Sequence, residues 1–209
     1  MSKSPASKST RIDGRRLRSE RTQQLIIEAY IALLRENPGL PMPTAAQIAH
    51  RAGYSVRSIF ERFPDLNKLR IAAADYSLAQ AAALAPARHV DGERATRIRS
   101  QVETRAGTCE RGMALWRVLL FSMSEDAELR ARVRLARSRT IERLEVMYRP
   151  ELSTLEERDR KHLLIALEAI TDSESWARMR ESRSLTFEEA CVIWIRAIDR
   201  MLPPTPPVA

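Results

Sequence analysis

The sequence predicts an all-α protein, with an N-terminal three-helix head joined to a larger helical domain and about nine helices in total. Apolar residues recur at three- and four-residue spacing along most of the chain, and no strand-like alternation appears. The chain has only 6 glycines in 209 residues, which favours helix over sheet. Residues 44–68, TAAQIAHRAGYSVRSIFERFPDLNK, read as two short helices around a tight break.

In chain order, residues 1–17 form a basic arm with Lys3, Lys8, Arg11, Arg15 and Arg16 among serines. With no apolar stripe, the arm is expected to be disordered alone and able to lie along phosphates or enter a minor groove. The first helix is expected over 19–36, with Ile26, Ala29, Tyr30 and Leu33 as its buried stripe. Asn37-Pro38-Gly39, with Pro41 and Pro43, ends it.

Thr44 with Gln47 matches a capping box opening the second helix, on which Ile48, Ala49 and Ala52 share a face. Gly53 supplies the turn because only glycine takes φ > 0 without steric cost. Ser55 is a favourable cap for the third helix, with Ile59 and Phe63 turned inward. This is a helix-turn-helix, whose second helix suits a DNA major groove. Arg57 is the expected base reader, since a guanidinium can bond guanine O6 and N7 together, and Val56 could touch a thymine methyl. Thr44, Ser55, Ser58 and Arg62 suit phosphates or sugars, although for Arg51 and Arg62 plain solvation is the alternative.

Pro64-Asp65 opens a fourth helix over 66–84, rich in alanine and closed by Pro86, and the head with this connecting helix spans 18–84. A helical domain follows over 87–202, with helices expected at 91–106, 110–124, 127–148, 155–180 and 187–202, and a disordered tail at 203–209. The last helix is apolar on more than one face, so it must be covered either within one subunit or by a second copy of the chain.

Residues 1–70 hold 13 Lys/Arg and 6 Asp/Glu, a net of +7, while the other 139 residues hold 22 and 21, a net of +1. Nearly all of the formal +8 therefore lies on the arm and helix-turn-helix, where a polyanion would be met. No apolar run approaches a membrane span and no signal peptide opens the chain, so a cytoplasmic location and no membrane partner are expected. Cys109 and Cys191 lack metal-ligand spacing and read as buried hydrophobes, with a thiol sensor as the alternative. His50, His89 and His162 are scattered and no phosphate loop or nucleophile elbow occurs, so no catalytic residue, metal or cofactor is expected. Two further readings stay open: a sequence-tolerant architectural DNA binder, and a helical enzyme recruited to nucleic acid by its basic head.

The first helix with Leu25, Ile26, Ala29, Tyr30 and Leu33, then Thr44, QIAHRAGYSVRSIFERF and Lys68-Leu69 resemble the TetR (tetracycline repressor-like) family of regulators over residues 21–69. The resemblance implies a cytoplasmic homodimeric repressor, released from palindromic double-stranded DNA when an apolar or aromatic effector moves the fourth helix. It implies a phosphate contact for Lys68. A tyrosine commonly stands where this chain has Phe60, so here the hydroxyl is missing and packing or a methyl contact remains. The segment from Trp176 to Trp194 resembles the family's C-terminal end, where the last two helices pair with a second subunit. Leu163, Leu167, Ile170, Cys191, Trp194 and Ile198 are the expected interface, and Met113, Trp116, Leu120 and Trp176 the expected effector-pocket walls. For that Trp/Met stripe, ordinary core packing is the alternative.

Overall fold

The computed structural model describes residues 7–37 and 41–207; the side chains of residues 7–13 and of Arg15 lie outside that description. The described residues form helices without strands, in two compact units that divide between Tyr76 and Ser77.

The first unit contains α1 (Ser7–Glu36), α2 (Ala45–Ala52), α3 (Val56–Phe60) and the start of α4 (Leu66–Leu84). Ile26, Ala29, Tyr30 and Leu34 on α1 are buried, as are Ile48 and Ala49 on α2, Ile59 on α3, Phe63, and Leu69 and Ala73 on α4. Residues 7–17, expected as an unstructured arm, instead extend α1 toward the N-terminus. No proline interrupts that stretch, and the Arg18 Nε donates to the Gly14 carbonyl within the turn. Deeper in the helix, the Tyr76 hydroxyl donates to Glu28 Oε1 at 2.8 Å, tying α4 to α1. The Tyr30 hydroxyl is buried without a hydrogen-bond partner among the described residues, and burial raises its pKa to about 12 against the lowering pull of Arg70.

The second unit contains α5 (Arg94–Ser122), α6 (Ala127–Met147), α7 (Arg149–Leu152), α8 (Glu157–Ile170), α9 (Ser173–Ala177), a π-helical turn (Arg178–Ser182) and α10 (Phe187–Met201). The two helices expected at 91–106 and 110–124 are one. Ile98, Val102, Ala106 and Cys109 form an unbroken buried face past Gly107, and Thr108 Oγ1 bonds back to the Thr104 carbonyl. A lone glycine costs a helix only about 1 kcal/mol, less than breaking that face would. The helix expected at 155–180 is instead divided, because the Asp172 carboxylate accepts the Ser175 N–H and caps a new helix. Pro150 lies past the end of α6 in the first turn of α7, where a missing N–H costs nothing.

α10 packs on α5 and α8. Its Ala190, Cys191, Trp194 and Ile198 enter a core shared with Leu144, Met147, Leu164, Leu167 and Trp176. The Trp176 ring lies 5.3 Å from Phe187, edge-on, and 5.0 Å from Trp194. The expected disordered tail is anchored over the part described here. Arg94 donates to the carbonyls of Asp199, Leu202 and Pro203, and the Thr205 hydroxyl donates to Glu151 Oε1.

Glu151 and Arg97 are the most deeply buried ion pair described, at 0% and 2% exposure. Arg97 donates to both carboxylate oxygens, at 2.6 and 2.7 Å, and also to the Met147 and Gly92 carbonyls. Burial alone would raise the Glu151 carboxyl, but the bonds from Arg97 and Thr205 hold it below the usual carboxylate range.

Candidate nucleic-acid interface

The helix-turn-helix is set by local bonds. Gln47 N–H donates to Thr44 Oγ1, and Thr44 N–H donates to Gln47 Oε1 at 2.8 Å, completing the capping box. Gly53 closes α2 at φ 73°, ψ 30°, while the Tyr54 N–H returns to the Ala49 carbonyl at 3.0 Å. Ser58 N–H donates to Ser55 Oγ at 3.1 Å and starts α3. With Ile59 and Phe63 inside, helical geometry turns Val56, Arg57 and Phe60 outward.

Arg57 is 88% exposed, and its only described side-chain partner is Glu61, four residues on, which accepts from Nε at 2.9 Å. Val56 and Phe60 stand on adjacent turns at 39% and 45% exposure, forming an apolar strip beside it. Ser55 and Ser58 hydroxyls pair with each other at 3.0 Å. Thr44 is exposed with its hydroxyl engaged by Gln47. Lys68 is exposed, its backbone N–H held by Asp65 Oδ1 at the start of α4. Arg16 is exposed and pairs with Glu20 at 3.3 Å; the side chains of Arg11 and Arg15 lie outside the described residues.

Arg62 differs from the rest of the set. It is half-buried, and its Nη1 donates to the Ser58 carbonyl at 2.9 Å, closing the end of α3. Its geometry is that of a helix-end clasp rather than a free phosphate contact. Arg51 is likewise committed, to Glu36 at 2.6 Å. Glu61 was not singled out in the sequence, although its i, i+4 spacing from Arg57 was a readable signal.

In the second unit, a cleft of about 420 Å³ is lined by Glu110, Met113, Trp176, Ala177, Arg180, Glu181, Ser184 and Leu185. Met113 and Trp176 both line it; Trp116 and Leu120 are not among its lining residues. One wall is the π-helical turn, followed by Ser184 in the left-handed region at φ 53°. Glu110 accepts from Trp176 Nε1 at 2.5 Å and from Arg180 Nη2 at 3.0 Å, and the Arg180 bonds hold its carboxyl below the usual range. The cleft is thus more polar than a purely apolar pocket.

The expected interface residues lie elsewhere than foreseen. Leu167, Cys191, Trp194 and Ile198 are buried within the subunit, and Leu163 and Ile170 pack against the same core. The uncovered apolar side chains on α8 and α10 are Ile165, Val192 and Ile193, at 49%, 44% and 47% exposure. The inward stripe and the outward pair alternate around α10, and sequence periodicity did not say which of them faced the core. Among the described residues, no cluster of three His, Cys, Asp or Glu side chains could hold a metal ion, and no helix is long and apolar enough to cross a membrane.

No protein-family model and no curated protein sequence matches the chain. Solved structures share its fold, two transcriptional regulators among them. One, from Rhodococcus sp. and assigned to the TetR-family transcriptional regulators, is 17% identical with a TM-score of 0.68, over 87% of this chain and 98% of that one. The other, from Pseudomonas aeruginosa PAO1 and assigned as a transcriptional regulator, is 18% identical with a TM-score of 0.64, over 87% and 91%. At these identities the likeness is one of architecture: the chain has the all-helical fold of these two proteins.

Proposed function

We propose that the chain is a sequence-specific DNA-binding transcriptional regulator of the TetR type, a cytoplasmic homodimer that represses from a palindromic operator and is released by a small-molecule effector. The observation that carries this reading is the outward face of α3, where a guanidinium and an apolar strip project beside a firmly capped turn. Base edges are read by such a face, and the +7 net charge of residues 1–70 would attract the duplex. We assign DNA contact to the head over 18–84 and effector binding and dimerisation to 87–202.

Ile165, Val192 and Ile193 would form the centre of the dimer contact, because they are the apolar residues on α8 and α10 that their own chain leaves uncovered. Met113 and Trp176 would offer an effector its apolar contacts, with Glu110 and Arg180 fixing its polar end.

Selection of bound duplexes from a random-sequence library tests the reading. A palindrome with half-sites roughly 34 Å apart, or somewhat more, is expected from two heads related by a two-fold axis. If no motif is enriched, the chain is a sequence-tolerant binder. Val192→Glu with Ile193→Glu should convert dimer to monomer by sedimentation, and a monomeric wild type at micromolar concentration would refute the two-headed arrangement.

A further inference from the structure

Four bonds beyond Cα, an arginine side chain reaches phosphates and base edges alike, so its position in the sequence does not fix what it touches. In α3 that freedom is restricted. Glu61 Oε1 takes the Arg57 Nε–H at 2.9 Å, and Nη1 and Nη2 carry no partner among the described residues. The guanidinium fork therefore presents its terminal edge, with two parallel N–H groups available for a pair of acceptors. Guanine O6 and N7 in the major groove are such a pair.

We propose that Glu61 is a positioning residue for base recognition: it holds Arg57 end-on toward a guanine and keeps it from the neighbouring phosphates. This rests on the functional reading above and adds a division of labour to it. The carboxylate has two effects of opposite sign. In water the exposed pair contributes little, since solvent screens both partners. In a groove from which water is displaced, the same pair strengthens as the local dielectric falls. Against any duplex, however, a carboxylate near the phosphates is repulsive, so Glu61 lowers affinity for all sequences. Only a duplex with guanine at the matching position recovers that loss, through a fork already aimed at it. Specificity is a difference of affinities; the repulsion is common to every duplex and cancels, so Glu61 widens that difference only by aiming the fork. Val56 and Phe60, exposed on the same short helix, add apolar contact but no competing acceptor.

The test uses the full-length chain as wild type, Arg57→Ala, Glu61→Ala and Glu61→Gln, with thermal unfolding to confirm equal folding. Each is taken through selection from a random duplex library, then titrated against the selected duplex, its single-base variants and an unrelated duplex. Glu61→Ala should lose about two- to fivefold discrimination, the reach of one exposed pair, at the base pair that Arg57→Ala makes indifferent. It should also bind the unrelated duplex more tightly. Glu61→Gln should show the same rise on the unrelated duplex while keeping discrimination, because its amide oxygen still accepts the Nε–H. Undiminished discrimination in Glu61→Ala overturns the proposal. A loss at a different base pair also overturns it, by showing that Glu61 reads a base itself, as a carboxylate can read cytosine N4. If Arg57→Ala leaves every base preference in place, Arg57 is not the reader and the proposal falls. A wild type that selects no motif removes the functional reading itself.

Discussion

Charge is used in opposite ways in the two units. In the head, Arg57 is 88% exposed and bonded through one nitrogen to a side chain that is itself 53% exposed. In the second unit, Arg97 is 2% exposed and bonded through all three nitrogens, to Glu151 and to two backbone carbonyls. The first arrangement contributes little to stability, because solvent already satisfies both partners, and it leaves the fork available. The second contributes specificity of packing at the cost of desolvation, and it leaves nothing available. The composition points the same way, with a net of +7 in residues 1–70 and +1 in the remainder. A charge held for a partner must stay hydrated until the partner arrives, whereas a charge holding the fold must be saturated from within.

The largest expected effect lies in the second unit. Glu151→Ala should destabilise by about 3–5 kcal/mol in chemical denaturation, since it strands the Arg97 guanidinium in the core. Glu151→Gln should cost less. The sign with pH follows from the lowered carboxyl: its contribution is fully present above the unfolded value of 4.5 and is lost as pH falls through the lower folded value. Wild type should therefore lose stability on that acid limb more steeply than Glu151→Gln. Equal acid limbs would show that the buried pair does not set the difference between the units.

In the head, Arg57→Ala should leave the melting temperature almost unchanged and remove about 1–3 kcal/mol of discrimination at one base pair of each half-site. A mutant that instead loses the same factor on every duplex would place Arg57 on phosphate. Gly53→Ala sharpens the comparison from the backbone side. No atom lies within 4 Å of the added Cβ, so its expected cost of about 1–2 kcal/mol is the left-handed φ of 73° alone. Thermal unfolding would read that cost, and an unchanged midpoint would mean that the turn relaxes. The smallest expected effect is at the tail: Thr205→Val removes one hydroxyl bond to Glu151 and should cost about 1 kcal/mol, measured by denaturant midpoint.

The sequence by itself determined the helix-turn-helix, because each of its signals is complete within a few residues. The Thr44 and Gln47 box, the positive φ at Gly53 and the Ser55 cap all involve partners no more than three or four positions away. The caps at Asp126 and Thr186 are equally local, each side chain accepting the backbone N–H three residues on. Readings that depended on a distant partner were decided only by the tertiary structure. Glu151 is a surface-like acidic residue until Arg97, 54 positions earlier, is brought against it. The proline-rich tail offers no helical pattern, yet Arg94 holds the Pro203 carbonyl from 109 positions away. Trp194 and Ile193 are both apolar neighbours on one helix, and which of them enters the core depends on where α5 and α8 lie. Hydrogen bonds within a turn are fixed by covalent proximity and can be read locally. Burial is a property of the assembled surface, and no residue carries it alone.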